Sequence, residues 1–260
     1  MKTIRLCALP GLALVAALLV GCFDVEQTLS LQKDLSGTAG FTMTVNFEPM
    51  ALMMLRMQRE MAGVKGDPTP AEIAKAKQDF LASKKGQKSP ADDFAAEKAK
   101  FEKTLPPGVQ LIDAGAEDQG LKMRVHFKVR FDDAAKLAKL QMSSPEKQQA
   151  PGPKNPYDEP FTNLKVVDEG KTVLLTSALV DPRKAQEDAQ KGGGAPELTP
   201  EMRQQMEEAF QGFRMAFKLD TPMEVVESNA TRREGHTLYW EYDLKSIEKA
   251  PAGIRVRLRK

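Results

Sequence analysis

Cysteine is almost missing from this chain, which has two in 260 residues, Cys7 and Cys22. Histidine is as scarce: His126 and His236 lie far apart, and no acid stands at helical metal-ligand spacing to either. These shortages argue against a disulfide framework, a cysteine or histidine metal centre and a Cys/His nucleophile. The local signatures of common enzymes are missing as well, with no G-x-S-x-G, H-E-x-x-H, P-loop or G-x-G-x-x-G. The chain therefore reads as non-enzymatic, with no cofactor and no metal expected. Neither charge sign dominates, since 38 basic residues face 36 acidic ones. A nucleic-acid partner has no electrostatic footing on such a surface. Aromatic residues make up only 6% of the chain, which points to a modest core.

The one long apolar run lies at the start. Lys2 and Arg5 precede Leu6–Val20, and Gly21 and Cys22 close it. A short basic region, an apolar core and a small residue at its end are the layout of a secretory signal. Leu19-Val20-Gly21-Cys22 resembles the lipobox of bacterial lipoproteins. That resemblance implies that residues 1–21 are removed and that Cys22 is lipidated on sulfur and acylated on its new amino terminus. The alternative is an uncleaved span. Arg5 and Asp24 bracket 18 uncharged residues, barely enough to cross a bilayer. With cleavage, the mature chain has 239 residues, 36 of them basic and 36 acidic, and no free thiol. One acyl chain holds a protein only marginally, whereas several hold it stably. Phe23 rather than Asp follows Cys22, which implies the periplasmic face of the outer membrane.

Beyond the signal, the apolar pattern switches between strand and helix periods. Val25 to Phe47 reads as a hairpin about Asp34-Leu35-Ser36-Gly37, so 22–48 is the anchor and first hairpin. Met50, Met53, Met54, Met57 and Met61 share one helical face. Thr69-Pro70-Ala71-Glu72 and Ser89-Pro90-Ala91-Asp92 announce two more helices through an N-cap, an N1 proline and an acid at N3. Residues 49–107 thus form a helical insertion, and 108–260 the rest of the domain. Leu121–Phe131 is the clearest strand: Leu121, Met123, Val125, Phe127, Val129 and Phe131 face one way, and Lys122, Arg124, His126, Lys128 and Arg130 the other. Phe161–Val167 and Lys171–Val180 pair across Asp168-Glu169-Gly170. A helix opens at Thr199-Pro200, with Met202, Met206 and Phe210 on its face. Phe213–Leu219 and Ile254–Leu258 alternate as strands, and Val225-Val226 and Thr237–Tyr242 read as a hairpin. Proline-rich 143–160 and glycine-rich 188–198 read as exposed loops. The fold class expected is α+β: a twisted antiparallel sheet with helices packed on one face.

Three features together resemble a family of bacterial lipoproteins with an LppM-like (DUF3153-type) domain. They are Cys22-Phe23-Asp24-Val25 leading into the first hairpin, the Asp168-Glu169-Gly170 turn, and the ending Pro222…Val225-Val226-Glu227-Ser228-Asn229…Glu234-Gly235-His236-Thr237-Leu238-Tyr239-Trp240-Glu241. Ala230 stands where that family has glycine. The resemblance covers about half of the mature chain. It implies a twisted antiparallel sheet, and for a mycobacterial relative an association with lipid and the cell envelope.

Two surfaces are candidates for binding. The row Lys122, Arg124, His126, Lys128 and Arg130 offers cations to anionic headgroups, at about 1 kcal/mol each near an anionic surface; its plain reading is a solvated strand face. The stripe Met50, Met53, Met54, Met57 and Met61 offers an adaptable apolar lining for a lipid or an envelope protein, and its plain reading is a core face. Arg255, Arg257 and Arg259 repeat the basic pattern. Trp240 reads as a buried strand residue rather than a platform, and Asn229 as a left-handed turn residue.

Overall fold

The computed structural model describes residues 23–84, 98–140, 161, 163–178, 212–247 and 253–260. Cys22, the Ser89 helix start, the loops at 143–160 and 188–198 and the Thr199–Phe210 helix lie outside the described residues.

Alternation of apolar and polar residues builds two sheets. The larger has seven strands in the order β3 (Val109–Asp118), β4 (Lys122–Phe131), β2 (Gly37–Asn46), β1 (Phe23–Leu31), β7 (Arg214–Asp220), β10 (Thr237–Asp243) and β9 (Arg232–Glu234). The smaller has β5 (Lys165–Asp168), β6 (Thr172–Ser177), β11 (Ile254–Arg259) and β8 (Glu224–Ser228), in that order. Every pairing is antiparallel except β1 with β7, where Asp24–Ser30 run alongside Arg214–Asp220. The inward residues of both sheets join one hydrophobic core, including Val25, Leu29, Phe41, Phe127, Val129, Leu219 and Trp240 from the first and Val173, Leu175, Val256 and Leu258 from the second. The α+β class with a mainly antiparallel sheet is as expected.

Phe127 sits at the centre of an aromatic cluster. Phe41 stacks on it at 5.7 Å between ring centroids, and Phe101 and Phe161 meet it edge-on at 5.5 and 6.4 Å. Phe101 comes from a helical segment at 98–104, so that piece of the helical region does reach the core. Asp133 caps a 310 turn, Ala134–Lys139, by accepting from the Ala135 N–H at 2.9 Å, and the turn contributes buried Ala134 and Leu137.

Three readings need correction. First, Val225-Val226 does not pair with Thr237–Tyr242. β8 leaves for the smaller sheet, and β10 lies between β7 and the three-residue β9, which is its hairpin partner. Second, the apolar pattern marks a strand only over Val109–Ile112, whereas β3 runs on to Asp118. A bulge between Leu111 and Asp113 breaks the alternation there and leaves Ile112 exposed. Third, Asn229 is not among the described residues with positive φ; the one non-glycine there is Leu35, at 67° in the β1–β2 turn. Asn229 works through its amide instead. Its Oδ1 accepts from Trp240 Nε1 and from the Arg255 N–H, both at 2.8 Å, and its Nδ2 donates to the Gly253 carbonyl at 2.8 Å. One side chain thereby ties β10 of the larger sheet to β11 of the smaller.

Candidate functional site

The chain-start edge of the larger sheet gathers the features that bear on function. Phe23 is level with Val45 on β2, Asn46 with Lys122 on β4, and Asp24 with Arg214 on β7, which is in turn level with Asp243 of β10. Five strand ends therefore meet where the described chain begins. Arg214 holds three acids there, with Asp24 at 3.0 Å, Glu241 at 2.9 Å and Glu26 at 3.6 Å. Hydrogen bonding from Arg214, with help from Arg232, keeps the Glu241 carboxyl below the usual range. The cluster is fully paired, and nothing in it marks a reacting centre.

A helical hairpin is rooted at the same edge. Asn46 Oδ1 accepts from the Glu48 N–H at 3.1 Å, and α1 (Glu48–Met61) begins with a proline in its first turn. α2 (Pro70–Lys84) begins as the sequence predicts. Glu72 accepts from the Thr69 N–H at 2.8 Å, and the Thr69 hydroxyl accepts from the Glu72 N–H at 3.3 Å, a reciprocal capping box. The two helices are clamped antiparallel by Arg59 with Glu72 and Lys77 with Glu48. Their base is pinned to the sheet by Phe47 against Phe80 at 5.7 Å, by the Phe47 N–H on the Leu121 carbonyl at 2.8 Å, and by Lys84. Lys84 Nζ donates to the Gly120 carbonyl at 3.0 Å, pairs with Asp118 at 3.5 Å and lies 4.6 Å over the Phe47 ring.

The methionine stripe is mostly not core. Met53 is buried and Met50 and Met57 are half-buried, but Met54 is 44% exposed and Met61 86%. Ala51 and Met53 lie outside the main core cluster. The reason is angular. Glu48 and Arg59, which face α2, lie eleven residues apart, about three turns; Met50 and Met61 are an equal distance apart but offset by two residues, about 200° round the helix. The side carrying Met50, Met54, Met57 and Met61 therefore points away from α2. Val64, just past the helix, is exposed too.

The basic row lies where the alternation puts it, on the open face of β4. Arg124 pairs loosely with Glu117 at 3.9 Å, and His126 Nε2 lies 3.3 Å from Asp113 Oδ2 with its ring over Gly115. Lys122 stands at the chain-start edge. Arg130 is eight residues further along, roughly 26 Å at strand rise. The row is thus a column rising from the edge. Arg255, Arg257 and Arg259 belong to the other sheet and are paired with Glu227, Glu169 and Glu224. Trp240 is fully buried, as the sequence predicts. No local pattern pointed to Lys84, Gly120 or Val64, because their roles depend on the sheet edge.

No family matches this sequence, and no curated protein is similar to it. A structural neighbour is the folded domain of LppM from Mycobacterium tuberculosis, solved by NMR. The two align over 99% of this chain and 95% of that one, at 10% identity and a TM-score of 0.42. Likeness at that level says nothing of ligand or site.

Surface carboxyls give one pH prediction. Hydrogen bonds to Lys260 and Thr172 hold Asp168 and Glu169 below their ordinary range, Thr69 does so for Glu72 and Arg214 for Glu241. Each group binds protons less readily folded than unfolded. Their stabilisation is whole above about pH 4 and is lost as pH falls through the folded values. The urea midpoint should fall between neutral pH and about pH 3; an unchanged midpoint contradicts these pairings.

Proposed function

We propose that this chain is a non-enzymatic lipoprotein of the cell envelope, anchored through Cys22, whose body works directly at a membrane surface. One observation carries the reading: β1 begins at Phe23, the residue after Cys22, and β1 is an interior strand of the sheet. A lipid on Cys22 then leaves no tether between bilayer and fold, and the chain-start edge rests on the headgroups. The basic row contributes through its lower end. Lys122 and Arg124 lie within about one Debye length of the surface, whereas Lys128 and Arg130 stand beyond it at physiological salt. The periplasmic face of the outer membrane is the location this reading favours, from Phe23 after the cysteine.

The test compares the native chain with Cys22→Ser in a bacterial host. The native protein is expected in the membrane fraction, with a mass that starts at residue 22 and carries diacylglyceryl and acyl groups. Cys22→Ser should lose both the mass addition and the anchoring. If the two proteins have the same mass and fractionate alike, the anchoring reading is wrong.

A second reading has its own observation. Met54, Met61 and Val64 are exposed on a hairpin held to the body at its base, the shape of a dock for an envelope protein.

A further inference from the structure

We infer that the α1–α2 hairpin is a second membrane contact, its outward methionine side lying in the interfacial region of the same leaflet that holds Cys22. The inference rests on the anchoring reading and goes beyond it by naming the surface that meets lipid.

Location supplies the first argument. α1 starts three residues after Val45, the register partner of Phe23, and the end of α2 is fastened to Gly120 and Asp118 in the β3–β4 turn at the same edge. The root of the hairpin and the anchor thus share one end of the molecule. The helices span about 20 Å from that root at helical rise.

Surface chemistry supplies the second. Six large apolar residues are exposed among the described residues, and three of them, Met54, Met61 and Val64, fall within eleven positions of this hairpin. Four of the hairpin's charges are turned aside, whereas Glu60, Lys65 and Asp67 stay exposed near its tip, where they can reach water or headgroups. Glu48, Arg59, Glu72 and Lys77 are paired with one another between the helices, on the side of α1 opposite the methionines. Lys122 at the root is exposed and supplies a cation at headgroup level. A helix with one apolar side and its charges on the other sits in the plane of an interface. Unbranched thioether side chains suit a fluid, heterogeneous partner.

Chain length supplies the third. An acylated Cys22 would be adjacent to Phe23, so the edge cannot lift away from the bilayer and the hairpin is presented to lipid at high effective concentration. A diffusing protein partner has no such advantage.

The test uses the full lipidated chain, in which Cys22 is blocked and Cys7 removed, so an introduced thiol is unique. Met54→Cys, Met61→Cys and Val226→Cys are labelled with an environment-sensitive fluorophore and reconstituted in vesicles of phosphatidylethanolamine and phosphatidylglycerol, with and without nitroxide-bearing lipids. Val226 is exposed on β8 of the other sheet and serves as the control. Circular dichroism confirms that each variant is folded. Probes at 54 and 61 are expected to shift to the blue and lose most of their emission to the nitroxide lipids, while the probe at 226 does neither. Probes at 54 and 61 that are quenched no more than 226 on an anchored protein overturn the inference and leave the anchoring reading intact. Shielding from aqueous iodide in native membranes without lipid quenching also overturns it, in favour of a protein partner. A chain that carries no lipid on Cys22 overturns both.

Discussion

Phe127→Ala is expected to destabilise the protein by about 3–5 kcal/mol, the usual cost of emptying a buried phenylalanine site. Three rings depend on it: Phe41 from β2, Phe101 from the 98–104 helical segment and Phe161. These come from parts of the chain with little else in common, so the surrounding structure has few ways to collapse into the void. Each aromatic pair adds roughly 0.5–1.5 kcal/mol beyond its buried area. Phe127→Leu should recover part of the loss by refilling volume without the ring contacts. The measurement is a urea titration followed by the fluorescence of Trp240, the single tryptophan in the chain. A change below about 1 kcal/mol for the alanine variant would show that Phe127 does not organise the core.

Asn229→Ala comes next, with an expected loss of about 2–3 kcal/mol, because leaving a buried donor unpaired costs about 1–3 kcal/mol. Trp240 is fully buried, and Asn229 Oδ1 is the partner of its indole N–H. The Arg255 N–H and the Gly253 carbonyl lose their partner at the same time, although these lie nearer to solvent. Asn229→Asp separates the roles. It keeps an acceptor for Trp240 and Arg255 but turns a charged oxygen on the Gly253 carbonyl, so its loss should be intermediate. The tryptophan emission should shift in the alanine variant even before unfolding, since the indole sits at the affected bond. Equal stability of all three proteins would refute the tie between the sheets.

Much of this fold was legible because alternation is a local property. β4, β7, β10 and β11 announce themselves residue by residue, and Thr69-Pro70-Ala71-Glu72 states its capping box outright. Pairing is not local. Arg214 meets Asp24 across 190 positions, and nothing near either residue says so. The destination of Val225-Val226 was hidden for the same reason: a short strand two residues from a turn looks like half of a hairpin, whichever sheet claims it. Gln27 shows how alternation itself can blur. It stands in the inward register of β1, level with Phe41 and Phe217, so an apolar count along that strand skips a beat. For the candidate site, the composition of the methionine stripe was readable but its direction was not. That direction follows from which residues of α1 the second helix engages, namely Glu48 and Arg59.

The order of strands also governs when this chain is able to fold. β11 is an interior strand of the smaller sheet although it spans Ile254–Arg259, and β1 is interior to the larger although it opens the described chain. The smaller sheet has no middle until Ile254–Arg259 has emerged, and in the larger the central β1 waits for β7 and β10 until Asp243; closing loops of this length is entropically slow. If export delivers the amino terminus first, β1 arrives at the membrane with only its hairpin partner and an open edge that waits for β7. A chain cut before residue 254 would then be more than a shortened protein. Held by the proposed lipid on Cys22, it would be an unfinished sheet with unpaired edges, a natural substrate for proteases.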